Sequence, residues 1–129
     1  MKEFPEDRKY NANHSWVKLK DGIAEVGVTK EFVDSIKELA FIELPKLGLI
    51  KQGDTYLSME SVKWSGHLIS PVTGEIVEVN EALFDEPELL NKEPYEHWVM
   101  RVKLTSKPEL LNANDALASL TCKRGGYNG

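Results

Sequence analysis

Alternating apolar and polar residues predict a series of short β-strands along the chain. These strands cover residues 16–20, 23–28, 41–44, 56–59, 75–79 and 98–104. In the second strand, Ala24, Val26 and Val28 share one face, and Asp21-Gly22 before it predicts a two-residue hairpin turn. The last strand alternates most clearly, with apolar residues on one face and cations on the other. The apolar face holds Trp98, Met100, Val102 and Leu104, and the other face holds Arg101 and Lys103.

Helical spacing is confined to three segments. Thr29 can cap a helix over residues 31–39, in which Phe32, Ile36 and Leu39 recur on one side. Residues 85–90 predict a short helix with an acidic entry and a proline in the first turn. Ser106 and Glu109 form a capping-box pattern, which predicts a C-terminal helix from about residue 107 toward 120, with a possible break near residues 112–114. Many short strands with few helices indicate a mainly β fold, a small sandwich or flattened barrel with peripheral helices.

Length and composition narrow the classes of protein. A chain of 129 residues with 41% hydrophobic and 29% charged residues indicates one soluble domain, 1–129, with flexible ends at 1–10 and 121–129. The net charge of -5 disfavours nucleic acid, because acidic surfaces repel phosphate. No apolar run approaches the roughly 18 residues of a membrane span, and the N-terminus lacks a transit-peptide pattern. We therefore expect a cytoplasmic location, and Cys122 is expected to be a free, exposed thiol.

One lysine lies in an informative setting. Apolar-rich stretches flank a short polar break at Lys63, with Gly53 and Gly74 placed nearly symmetrically before and after it. This pattern predicts a β-hairpin that presents an amine at its tip. An exposed lysine amine is protonated and a poor nucleophile, so a dedicated enzyme must drive its acylation. Local pattern alone favours an ordinary solvated lysine in a turn, because lysines in turns are common.

The segment Glu60-Ser61-Val62-Lys63, followed by residues 70–76, resembles the lipoylation site of glycine cleavage H proteins. The resemblance extends in order over residues 10–120. It is carried further by residues 14–17, 26–29, 41–45, 79–83 and 87–91, and by Pro94-Tyr95 with Trp98. Val62 and Trp64 beside the lysine argue against the related biotinyl domains, which usually have methionine on both sides.

The resemblance implies a barrel-sandwich hybrid of the lipoyl/biotinyl type, with peripheral helices that include a C-terminal one. Lys63 would carry lipoic acid as an amide, Glu60 would be read by the lipoylating enzyme, and Gly74 would hold a turn that supports the hairpin. The chain would be a non-catalytic, monomeric carrier. The resemblance implies that the lipoyl group on Lys63 would shuttle an aminomethyl group from glycine decarboxylase to aminomethyltransferase and be reoxidised by dihydrolipoamide dehydrogenase. A lipoate ligase or an octanoyl or lipoyl transferase would attach the lipoyl group.

Four positions depart from the family pattern. Trp64 replaces a small residue beside the lysine, where it could restrict the arm or simply cover the hairpin. Gly66-His67 replaces a small residue followed by aspartate, and His67 could titrate near neutral pH. Lys37 replaces a glycine at a helix end, and Glu96-His97 replaces a glycine-containing turn.

These departures leave two further hypotheses open. One is an H-protein-like lipoate-binding protein of another pathway, either sulfur oxidation with a heterodisulfide-reductase-like complex or lipoate relay. The other is a non-lipoylated binding module. An independent enzyme is the weakest hypothesis, because we find no catalytic constellation and expect no metal site among His14, His67 and His97.

Overall fold

The computed structural model describes residues 4–11 and 13–118, which form two antiparallel sheets and short helices. The strands are β1 (Lys9–Tyr10), β2 (Ser15–Lys20), β3 (Ile23–Val28), β4 (Leu39–Glu43), β5 (Gly48–Ile50), β6 (Thr55–Ser61), β7 (Ser65–Ile69), β8 (Gly74–Val79) and β9 (Met100–Leu104). The helices are α1 (Lys30–Ile36), α2 (Ala82–Asp85), α3 (Glu88–Lys92) and α4 (Ala113–Ala116). The larger sheet has the order β1-β2-β3-β9-β8-β5, and the smaller has the order β4-β6-β7. The predicted mainly β fold is confirmed.

Both sheets contribute to one core of buried apolar side chains. Val26 and Val102 of the larger sheet belong to the same cluster as Ile42 and Met59 of the smaller sheet. Phe32 and Ile36 add the apolar face of α1, as their spacing predicts. Hydrophobic burial therefore holds the small sheet against the large one, and the large sheet does not cover the outer face of the small sheet.

A second buried cluster joins the two ends of the described chain. Phe4 and Tyr10 pack with Trp16, Tyr95 and α4. The Arg8 guanidinium lies 4.6 Å from the Trp16 ring centre and donates to the Tyr95 carbonyl oxygen at 2.9 Å. Phe4, Arg8 and Tyr10 of the segment expected to be flexible are thus packed against other parts of the chain. Aromatic residues separated by polar ones do not show the usual strand or helix period, so this packing could not be predicted from the sequence pattern. Residues 121–129, including Cys122, lie outside the described part.

Several boundaries differ from the prediction, and helix ends account for most of them. The predicted 31–39 helix ends at Ile36, where Lys37 adopts φ +67°. Leu39 instead begins β4. The predicted 85–90 helix is two helices, α2 and α3, separated at residues 86–87. The predicted C-terminal helix begins only after Asn112, whose side chain accepts a hydrogen bond from Asp115 N at 2.8 Å.

Two short strands were not predicted, and one face assignment was wrong. β1 and β5 have two and three residues, too few to show an alternation. Trp98 does not share the face of Met100, because its ring lies 4.0 Å from the Arg101 guanidinium. Arg101 is in turn paired with Glu25 at 2.8 Å and Glu78 at 2.7 Å. Within the described residues, no helix is long and apolar enough to cross a membrane.

Candidate functional site

Lys63 lies at the tip of the hairpin formed by β6 and β7, as predicted. The last paired residues are Glu60 and Ser65, so Val62, Lys63 and Trp64 form the tip beyond the ladder. Lys63 is exposed, and Val62 before it is 76% exposed. No ion pair to the Lys63 amine is seen among the described residues. The amine is therefore accessible to an acylating enzyme.

Ser61 closes the tip through its own side chain. Its backbone N–H donates to the Trp64 carbonyl oxygen at 2.7 Å. Its hydroxyl oxygen accepts from the backbone N–H groups of Lys63 at 3.2 Å and Trp64 at 3.0 Å. Serine often satisfies backbone donors in this way in tight turns. The turn therefore forms without any residue in the left-handed region at the tip.

Trp64 folds inward over the hairpin. Its ring lies over Gly66, where an added Cβ would be 2.5 Å from the ring atom Cζ2. The ring also meets Phe32 of α1 in an edge-to-face contact, with the ring centres 5.3 Å apart. The half-buried indole packs against the main core. Of the two possibilities left open by the sequence, the structure shows Trp64 as a cover on the hairpin.

Phe32 continues this aromatic contact toward the start of β2. The His14 ring stacks on Phe32 with centres 4.6 Å apart, and its Nδ1 lies 3.3 Å from a carboxylate oxygen of the buried Glu31. The His14 carbonyl oxygen also accepts from Thr29 N at 3.0 Å. Sequence reasoning placed Phe32 only in the core and His14 only in the family resemblance. Nothing in local spacing links either residue to position 64.

The base of the hairpin is tied to the large sheet by Tyr56. Its hydroxyl lies 2.6 Å from the hydroxyl of Ser15 in β2. Burial raises the pKa of the Tyr56 hydroxyl well above its usual range, so the group stays neutral. The strand that leads to the lysine is therefore anchored to the large sheet at its base.

The outer face of the small sheet carries the other candidate residues. Glu60 lies opposite Phe41 of β4, and His67 lies opposite Ser58. All but the half-buried Ser58 are exposed, and Phe41 meets Phe84 of α2 with ring centres 6.2 Å apart. Glu60 and His67 are thus brought onto the sheet that holds Lys63, each on a separate strand.

The resemblance implies that Gly74 holds a turn, but the structure places Gly74 in a strand. It begins β8 in the larger sheet, paired with Ile50 and Leu104. An added Cβ would lie 2.2 Å from the Lys103 carbonyl oxygen, so this position needs glycine for close backbone approach. Gly53 is the turn residue, with φ +99°. Gly74 supports the sheet behind the hairpin rather than the hairpin itself.

Two surface depressions of the described residues lie away from the lysine. These open depressions, of about 540 and 480 Å³, are lined by residues of the β2–β3 hairpin and of β8. Neither lining includes a tip residue. No group of three or more potential metal ligands occurs within the described ranges. The arrangement suits presentation of a side chain to another protein.

Comparison with known proteins agrees with this geometry. Residues 8–122 match the family model of the glycine cleavage H-protein. The chain is 46% identical over 112 residues to the glycine cleavage system H protein of Alcanivorax borkumensis, covering 85% of this chain and 88% of that one. It is 40% identical over 114 residues to the probable H protein of Thermoplasma volcanium, covering 88% and 93%. The crystal structure of an H protein from Mycobacterium marinum superposes with a TM-score of 0.84 at 35% identity, covering 90% and 98%.

Proposed function

The chain belongs to the glycine cleavage H-protein family, and on that premise we propose that Lys63 bears lipoic acid as an amide. The observation that carries this proposal is the exposed Lys63 at the tip of the β6–β7 hairpin, with no ion pair among the described residues. The surrounding residues fit the group, because the amine faces solvent and Glu60 is exposed on the same sheet for an acylating enzyme to bind. The barrel-sandwich architecture of two sheets supports the tip from below.

The chain's own residues present the arm and catalyse no step in this proposal. Lys63 would hold lipoic acid, which would supply a redox-active disulfide for carrying an aminomethyl group. Carried over from the family resemblance, its partners would be glycine decarboxylase, aminomethyltransferase and dihydrolipoamide dehydrogenase. The loading partner would be a lipoate ligase or an octanoyl or lipoyl transferase. Tethering keeps the cargo at a high effective concentration near each partner.

A second candidate is a lipoate carrier of another pathway, such as sulfur oxidation or lipoate relay. The specific observation in its favour is the replacement of residues next to the lysine. The Trp64 ring fills the space over Gly66, and the imidazole of His67 stands where the family pattern has a carboxylate. Both changes alter the surface that a partner meets beside the arm.

The first experiment is the intact mass and peptide map of the protein after incubation with lipoate, ATP and a lipoate ligase. We expect a gain of one lipoyl group on Lys63 and none in Lys63→Arg. Lys20→Arg is the matched control, because Lys20 is an exposed lysine that directly precedes the turn of the β2–β3 hairpin. An unmodified wild-type protein would favour a non-lipoylated binding module.

The loaded protein then separates the two pathways. With glycine decarboxylase, a glycine cleavage carrier should support the exchange of labelled carbon dioxide with the carboxyl group of glycine. A protein that is lipoylated on Lys63 but supports no exchange would favour the second candidate.

We further propose that the chain is a monomeric, cytoplasmic, single-domain carrier. Sedimentation and cell fractionation test the first two properties, and a single unfolding transition tests the third.

A further inference from the structure

Trp64 joins the lysine tip to a helix that is distant in sequence. The tip extends past the small sheet, because the last β4–β6 pair is Leu39 with Ser61. The hydrogen bonds of Ser61 hold the tip residues to one another. The edge-to-face contact with Phe32 connects them to α1.

The far side of that contact is itself fixed. Phe32 is buried in the main core and is stacked by the His14 ring on another side. Thr29 caps α1 by accepting from Phe32 N at 3.4 Å, which holds the first turn of the helix in place. A ring that packs on Phe32 therefore packs on a rigid surface.

Gly66 makes the inward orientation of the indole possible. The ring occupies the volume that a side chain at position 66 would fill, with three ring atoms 2.5–3.2 Å from the Cβ position. Residues 64, 66 and 68 thus share the core-facing side of the hairpin, where Leu68 is buried.

We propose that Trp64 is a positioning residue for Lys63: by packing between Gly66 and Phe32, it fixes the hairpin tip in the conformation that an acylating enzyme binds. An ordered tip spares the enzyme the loss of conformational entropy when it binds the protein substrate. This inference rests on the proposed lipoylation for its kinetic readout, but its structural readout does not.

The test compares Trp64→Ala, Trp64→Phe and Gly66→Ala as substrates of a lipoate ligase. Trp64→Ala should raise KM for the protein about tenfold, with kcat within about twofold of wild type. Trp64→Phe, which keeps a ring on Phe32, should restore most of the affinity. Gly66→Ala should raise KM by displacing an intact indole. Trp98→Ala is the matched control, since it removes a half-buried tryptophan that packs on Arg101 instead.

Amide hydrogen exchange of the unloaded protein supplies the second readout. Exchange over residues 61–67 should accelerate in Trp64→Ala and Gly66→Ala, but not in Trp98→Ala. Unchanged KM and unchanged exchange in Trp64→Ala would overturn the proposal while leaving the carrier function intact. A raised KM with unchanged exchange would also overturn it, because the indole would then contact the ligase directly. Failure of wild type to be lipoylated would instead refute the carrier function, and exchange alone would decide the positioning.

Discussion

The two longest hairpins of the molecule form their turns by different means. The β2–β3 turn uses left-handed backbone, with φ +52° at Asp21 and +80° at Gly22. The β6–β7 tip uses the Ser61 hydroxyl and keeps φ negative at its non-glycine residues. The central positions of the first turn need residues that tolerate left-handed backbone. The central positions of the second turn have ordinary backbone, so they can hold a functional side chain. A hairpin that presents a lysine benefits from the second solution.

Both hairpins also pack a tryptophan ring on a glycine, at very different depths. Trp16 lies over its cross-strand partner Gly27, where an added Cβ would be 2.4 Å from the ring. Its exposure is 1%, and its Nε1 donates to the Pro94 carbonyl oxygen at 3.1 Å. Trp64 over Gly66 is only half-buried. The same contact therefore supports the stability of the whole protein in one hairpin and the order of a tip in the other.

The largest effect should come from Gly27→Ala. The methyl group would overlap a ring that cannot move, because Arg8 stacks on it and Pro94 binds its Nε1. We expect the free energy of unfolding to fall by about 3 kcal/mol, measured by urea denaturation. Gly66→Ala is the control, with a fall below about 1 kcal/mol, since the Trp64 ring can move toward solvent. Equal losses in the two variants would contradict the comparison.

Gly22→Val should have the next largest effect. No atom lies within 4 Å of the Cβ position, so the strain comes only from the left-handed backbone. A loss of about 1–2 kcal/mol follows for a β-branched residue at positive φ. Asparagine tolerates this region, so Gly22→Asn should lose less stability than Gly22→Val when both are measured by thermal denaturation. Lipoylation of Lys63 should be unaffected in both variants, and slower loading would show that the two hairpins are coupled.

Ser61→Ala should act mainly on the lysine hairpin. It removes the acceptor for two backbone N–H groups at an exposed tip, where water can replace it. We expect a fall of about 1 kcal/mol in the free energy of local opening, seen as faster amide exchange at Lys63 and Trp64. Ser65→Ala, across the hairpin, should leave exchange unchanged. If both variants behave alike, the hydroxyl of Ser61 does not hold the turn.

The smallest effect concerns the ion pair between Asp7 and Lys18 of the first hairpin. Asp7 lies 3.5 Å from Lys18 of β2, and its hydrogen bond with Arg8 lowers the Asp7 pKa despite some burial. A lowered folded-state pKa gives stability that is present at neutral pH and lost as pH falls through that pKa. Asp7→Asn should therefore lower Tm slightly at pH 7 and not at pH 2. Equal losses of Tm at the two pH values would contradict this assignment.

The sequence predicts these hairpins well because each has a strong local signal. Strict alternation in residues 23–28 and the Asp21-Gly22 pair were enough for the first, and the polar break at Lys63 was enough for the second. Helix ends were predicted less well. Leu39 fits a helical period by chance, and the chain leaves the helix at Lys37 through a positive φ that glycine would normally adopt. Such endings depend on what the following strand pairs with, which spacing does not reveal.

The surroundings of the lysine could be predicted only in part. Lys63, Glu60 and His67 were placed on one hairpin by their proximity in sequence and by family resemblance. The partner of Trp64 was not predicted, because Phe32 lies 32 positions earlier on a helix and meets it only in the folded protein. The role of Gly74 was likewise not predicted, because the need for glycine there comes from the Lys103 carbonyl oxygen of a neighbouring strand.

The negative φ values of the lysine tip bear on how such a protein can change over time. A turn built from glycine or asparagine restricts the residues that can replace it, because most side chains are strained there. At positions 62–64 any ordinary residue fits the backbone, as long as Ser61 continues to accept its hydrogen bonds. The backbone thus allows positions 62 and 64 to differ without loss of the turn, and in this chain position 64 holds a tryptophan that packs on Gly66 and Phe32.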